Sequence, residues 1–273
     1  MNPVIDAYNE RQAEIRGIFR SRLITQILIA LGSGEKSLSE LRDITGSSSQ
    51  AIIPKIRQLE ALSYIESTKE GYRLTIIGKI LEKEIEKLVK IISLSDSNRE
   101  FWYNHDTRDI PAEFLENIGD LHNSTIIHNT EDNILKVHFN FIKLMDEASF
   151  IKGISSFMSP SHAEIIKKSV LRGIQVDLIV TPEIAEKIKK EPYEDILKTI
   201  IDLENFRIYV YPKPIKIGMT ITDDYLSLGL YSKEPDFYDF TADLINSDEI
   251  AVGWGQRLFE YYRSCSEDFI KEA

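Results

Sequence analysis

The chain has 273 residues, 42% of them hydrophobic and 28% charged, which is enough for two domains and a substantial core. A formal net charge of −11 excludes a nonspecific nucleic-acid coat protein, and the single cysteine, Cys265, excludes an internal disulfide or a cysteine-rich zinc site. Residues 1–14 are too polar for a signal peptide and the longest apolar run, 27–31, is too short to cross a bilayer, so a cytoplasmic protein with no membrane partner is expected.

In chain order, residues 15–31 read as a helix with Ile18, Leu23, Ile24, Ile27, Leu28 and Leu31 apolar. A second helix is expected over 39–46, with Ser39 as its cap and Gly46 ending it in the left-handed conformation. Ser47, Ser48 and Ser49 supply the next cap, before a helix over 50–62 that sets Ile52, Ile56, Leu59 and Leu62 on one face. Pro54 implies that this helix either begins near it or kinks there. Residues 64–67 and 72–75 flank Lys69-Glu70-Gly71 as a hairpin. Thr75 then caps a helix to Ser93, whose apolar positions Ile77, Ile80, Leu81, Ile85, Leu88, Val89 and Ile92 exceed what so small a domain can bury; a two-fold dimer is expected there.

This order is that of a winged helix-turn-helix, an α+β domain over 1–95 that places a helix in the major groove of double-stranded DNA. Ser48, Ser49, Gln50 and Ile53 stand at the start of the recognition segment, where base edges are reached first. Lys55 and Arg57 face outward as phosphate or guanine contacts, and Lys69 and Arg73 on the wing suit phosphate. The charge is divided accordingly: residues 1–95 carry 14 Lys/Arg against 12 Asp/Glu, and the remainder 19 against 32.

Residues 96–133 read as a helical connector, with a short helix over 111–121 and Phe101, Trp102 and Tyr103 packed on the second domain. From 134 to 273 helices (134–147, 161–172, 182–190, 196–203, 249–270) alternate with strands (150–154, 175–181, 206–211, 219–222, 225–231), which predicts a mostly parallel α/β layer. The carboxyl ends of such strands form ligand crevices. Ser156, Ser159, Thr181 and Thr222 are the candidate hydrogen-bonding groups there, beside Phe157 and Met158, for a small polar or acidic effector. None of the histidines 105, 122, 128, 138 and 162 has metal-helix spacing, so neither metal nor cofactor is expected.

The segments 49–65 and 72–79 resemble the winged domain of archaeal transcriptional regulators. Trp102, His105-Asp106, Ile110-Pro111, Phe114-Leu115, Ser159-Pro160, Gly173, the run 178–181 and the run 254–263 resemble the archaeal family whose C-terminal domain is named after regulators of methanogenesis. The resemblance implies a DNA-binding regulator with a sensor domain. Residues 163–176 and 221–229 also resemble one half of the phospholipase D fold, whose catalytic motif is H-x-K-x4-D. Counting back from Asp223 puts Lys216 and Gly218 at the His and Lys positions, and counting from Asp224 puts Ile217 and Met219 there. The resemblance thus implies an α/β phospholipase-D-like domain lacking the catalytic motif, with no catalytic residue and no enzyme activity. A homodimeric regulator whose operator affinity responds to a small metabolite is the expected function. The alternatives are a small-molecule O-methyltransferase, which needs a Gly-rich turn that 153–158 lacks, and a protein–protein adaptor.

Overall fold

In the computed structural model, which describes residues 2–269, the chain divides into two units between Val89 and Lys90. The first holds α1 (Pro3–Arg20), α2 (Arg22–Gly32), α3 (Leu38–Thr45), α4 (Ser49–Ala61), β1 (Ile65–Ser67), β2 (Tyr72–Leu74) and the start of α5 (Ile76–Ser97). The expected helix over 15–31 is two helices. Ser21 adopts an extended conformation that stops α1, and its hydroxyl accepts from the Ile24 N–H to start α2. Ser37, not Ser39, caps α3, in a reciprocal pair with Glu40, and Gly46 ends it at φ 64°.

The helix α4 starts at Ser49 and runs through Pro54. Proline has no N–H to offer the Gln50 carbonyl one turn back, so the helix lacks that bond. Ile52, Ile56 and Leu59 enter the core with Ile24, Ile27, Leu28 and Leu41, whereas Leu62 is the C-cap and is exposed. Gly71 is needed for a reason other than turn geometry: a Cβ there would fall on the Lys36 carbonyl. Lys36 and Tyr72 exchange backbone hydrogen bonds of 3.0 and 2.9 Å, which adds a third short strand-like segment to the hairpin. Thr75 caps α5 through the Gly78 N–H at 3.1 Å, and the helix continues past Ser93 to Ser97.

The second unit holds α6 (Arg99–Asn104), α7 (Ala112–Leu115), β3 (Thr125–His128), α8 (Lys136–Glu147), β4 (Phe150–Ser155), α9 (Pro160–Leu171), β5 (Gln175–Val180), α10 (Pro182–Ile188), α11 (Glu194–Ile200), β6 (Phe206–Val210), β7 (Ile217–Ile221), β8 (Leu226–Leu230), β9 (Ala242–Asn246), α12 (Glu249–Ser264) and β10 (Glu267–Asp268). One eight-stranded sheet runs β10-β6-β5-β4-β7-β8-β9-β3. It is mixed, not mostly parallel. Only β4, β5 and β6 run parallel, joined by helical crossovers; β7, β8, β9 and β3 pair antiparallel, because β7–β8 and β8–β9 are joined without a helix. Segment 96–133 supplies the edge strand β3 as well as helices, and buries Phe101, Ile110, Phe114 and Leu121 in this unit's core. The last helix ends at Ser264; its expected end, Ile270, lies outside the described residues.

The sheet has two different faces. Trp254, Leu258 and Phe259 of α12 pack against Ile217, Met219, Ile221, Leu226, Leu228 and Leu230. The alternate positions of the same two strands are Gly218, Thr220, Ser227 and Gly229, and α8 and α9 lie on the side where β4 and β5 present Ile151, Leu178 and Val180. Small side chains on one face of β7 and β8 leave space that large ones would fill.

Candidate functional site

Two regions are candidates for function, one in each unit. In the first, the burial of Ile52, Ile56 and Leu59 turns Gln50, Pro54 and Arg57 outward at i, i+4 and i+7, all three exposed. Ser48 is exposed beside this row, while Ser49, Ile53 and Lys55 are half-buried on its flanks. The Ser48 side chain makes no capping bond, so the cap supplies no side-chain acceptor to the first amides of α4. Lys69 is exposed at the hairpin tip. Arg73 is committed within the hairpin: the register sets it opposite Glu66, and Nε lies 2.7 Å from Oε1.

In the second unit a cavity of about 540 Å³ opens over the small-residue face of the sheet. Gly153, Gly218, Thr220 and Ser227 form its floor, α8 and α9 contribute His138, Phe141 and His162, and Phe157, Tyr238 and Phe240 form an aromatic wall. The wall rings contact one another, with centroids 4.2 Å apart for Phe157–Tyr238 and 4.9 Å for Tyr238–Phe240. Gly218 and Gly229 pair across β7 and β8, and a Cβ on either would strike the Tyr238 ring that covers them. Asp243 of β9 also lines the cavity and accepts from the Ser227 hydroxyl at 2.7 Å. Burial pushes its carboxyl up to about 7, against the lowering effect of the Ser227 bond. Burial, and then nearby His138, push His162 down to about 4, so its ring is neutral at physiological pH.

Of the four expected ligand residues, only Ser159 lines this cavity. Its hydroxyl accepts from the His162 N–H and lies 2.5 Å from the His162 ring. The Thr181 hydroxyl caps α10 through Ile184, and the Thr222 hydroxyl accepts from Tyr225 in the β7–β8 turn. The Ser156 hydroxyl is buried without a hydrogen-bond partner, off the cavity. Asp223 is also structural: although burial opposes it, hydrogen bonds from Ser149 hold its carboxyl below the usual range and tie the turn to the start of β4. His105 spans Phe101 O at 2.7 Å and Asp239 at 3.0 Å, holding the connector to the sheet domain. The residues that the sequence reading missed are Asp243, Tyr238, Phe240, His138 and His162. A usable signal was the large–small alternation of 217–221 and 226–230. Among the described residues no group of three or more His, Cys, Asp or Glu converges as a metal site, and no helix is long and apolar enough to cross a membrane.

Two family models match the chain. The N-terminal domain of the methanogenesis regulatory protein FilR1 matches residues 12–93, and the middle domain of the same protein matches residues 134–265. The chain belongs to the FilR1 family. The methanogenesis regulatory protein FilR1 of Methanothrix harundinacea (strain 6Ac) is 29% identical to it over 253 residues, covering 91% of the chain and 56% of the relative. This FilR1-family chain thus spans little more than half the length of that relative. Among solved structures, TrmBL2, an archaeal chromatin protein described as showing a novel mode of DNA binding, aligns over 94% of the chain and 99% of its own, at 16% identity and TM-score 0.41. Nuc, a phospholipase D family member from Salmonella typhimurium, aligns over 54% of the chain and 98% of its own, at 12% identity and TM-score 0.42.

Proposed function

We propose that this FilR1-family chain is a cytoplasmic transcription regulator. Its first unit reads double-stranded DNA as a winged helix-turn-helix, with α3 and α4 as the helix pair and the β1–β2 hairpin as the wing. Its second unit is a phospholipase-D-like domain turned from catalysis to effector binding, with the cavity over β7 and β8 as the effector site. The observation that carries the reading is the outward row Gln50, Pro54 and Arg57 on α4, with Ser48 at the helix start. The regulator name of its relative supports it. In this reading Gln50 and Arg57 reach base edges, Ser48, Ser49, Ile53 and Lys55 support them, and Lys69 meets phosphate. Arg73 reaches phosphate only on leaving Glu66. Ile77, Ile80, Leu88 and Val89 are exposed along α5, and we assign this stripe to a homodimer.

The test is a titration of the purified full chain against duplex DNA from upstream of its own gene, over a range of salt. Arg57→Ala is expected to cost about 1–3 kcal/mol on the preferred sequence and to relax preference at one position. Lys69→Ala is expected to weaken all sequences alike and to lower the salt slope by about one. Equal affinity of the wild type and the Arg57/Lys69 double variant for every duplex would refute the reading.

A further inference from the structure

The charge pattern of the cavity narrows the class of its ligand. Among the described residues lining it, Asp243 is the one carboxyl group, and neither Lys nor Arg is present. A bound anion would meet a carboxyl and no balancing cation. The N-terminus of α9 offers little in compensation: Pro160 has no N–H, and the His162 N–H is already taken by Ser159. Two of the first three amide positions are therefore closed to an anion. The sequence-based expectation of an acidic effector does not suit these walls.

A cation meets the opposite environment. Asp243 is 6% exposed, lines the cavity and has the neutral Ser227 hydroxyl as its hydrogen-bonding neighbour. Facing the same space are Phe157, Tyr238 and Phe240, with the Phe141 and His162 rings 4.9 Å apart, and aromatic faces attract cations. The other titratable groups lining the cavity are His138 on α8, His162 on α9 and Tyr238 in the loop before β9. The volume, about 540 Å³, lies within the range of small-molecule sites.

We propose, resting on the effector reading of this cavity, that its ligand is an organic amine: an ammonium group against Asp243, carried on an apolar body held among Phe157, Tyr238 and Phe240. At pH 8, above its raised value of about 7, Asp243 is a buried carboxylate with no Lys or Arg among the described lining residues, and the arriving ammonium supplies the missing positive charge. The small floor residues Gly218, Thr220 and Ser227 leave room for the apolar body over the sheet.

The test is isothermal titration of the full chain at pH 8 with three probes of one shape: 2-phenylethylamine, 2-phenylethanol and 3-phenylpropionate. The amine is expected to bind at least tenfold tighter than the alcohol, and the acid weakest. Asp243→Asn is expected to abolish the preference for the amine while leaving the alcohol unchanged. Should that variant fail to fold, wild type and His138→Gln are compared at pH 5.5 and pH 8. Loss of amine binding at the lower pH in both, with the alcohol unchanged, assigns the preference to Asp243. Equal binding of amine and alcohol overturns the inference and leaves the effector reading standing, as does tighter binding of the acid. Binding of none of the three overturns the inference and removes the cavity from the effector reading, without touching the DNA-binding surface.

Discussion

Replacing Asp243 with Asn is expected to stabilise the second unit at pH 8 and to change little at pH 4. Burial raises the Asp243 carboxyl from 3.8 to about 7, while the unfolded chain keeps an ordinary value. The folded state then holds a proton that the unfolded state has released, so stability falls as pH rises from about 4 to about 7. The rise from 3.8 to about 7 corresponds to roughly 4 kcal/mol of penalty, fully present well above pH 7. The carboxamide keeps an acceptor for the Ser227 hydroxyl and has no proton to lose. His162 works in the opposite direction. Burial and His138 lower it from 6.5 to about 4, so the fold loses roughly 3 kcal/mol as pH falls through that interval. In the wild type the two trends nearly cancel between pH 4 and 6.5. In Asp243→Asn the histidine trend stands alone, and stability should rise with pH across this window. Both tryptophans, Trp102 and Trp254, lie in the second unit, so urea unfolding followed by tryptophan fluorescence at pH 4, 5.5, 7 and 8 reads this unit directly. A difference between variant and wild type that does not change with pH would refute the reasoning, as would a variant less stable than wild type at pH 8.

Gly71→Ala is expected to destabilise the first unit by on the order of 2 kcal/mol, because the added methyl must displace the Lys36 carbonyl and break its exchange with Tyr72. Circular dichroism melting would show the loss, while tryptophan fluorescence, which reports the other unit, stays put; an unchanged melt counts against the close-approach argument. Ile80→Glu combined with Leu88→Glu should convert a dimer to a monomer in sedimentation while keeping its helix content, since both side chains are exposed in the single chain. A variant that still sediments as a dimer would take the assignment away from this face of α5.

Local signals were readable where one residue decides one conformation. Gly46 at φ 64°, the Thr75 cap and the inward row Ile52, Ile56 and Leu59 follow from residue type and spacing alone. Strand direction was not readable in the same way. The segments 217–221 and 226–230 have the same alternating composition whether they pair parallel or antiparallel, and only the length of the connection between them separates the two. The edge strand β3 was hidden because half of its side chains face solvent and it lies in a polar stretch. For the site, serines and threonines at strand ends are the hydrogen-bonding groups that the sequence offers. Thr181 and Thr222 spend those groups on a helix cap and a turn, which is the commoner use of such residues. Asp243 stands in a short strand, Ala242–Asn246, with no sequence marker of its own; its meaning comes from its neighbours in space.

The two glycines under Tyr238 determine which substitutions could reshape the cavity. Its floor at this point is bare main chain, locked into the ladder between β7 and β8, and it has no side chain left to trim. Depth is therefore set by a residue outside the ladder, on the loop between β8 and β9. Shortening residue 238 would lower the wall to the peptide plane without disturbing strand register, whereas enlarging residue 218 or 229 would expel the ring altogether. A substitution at this one loop position would reshape the cavity and leave the sheet itself as a fixed chassis.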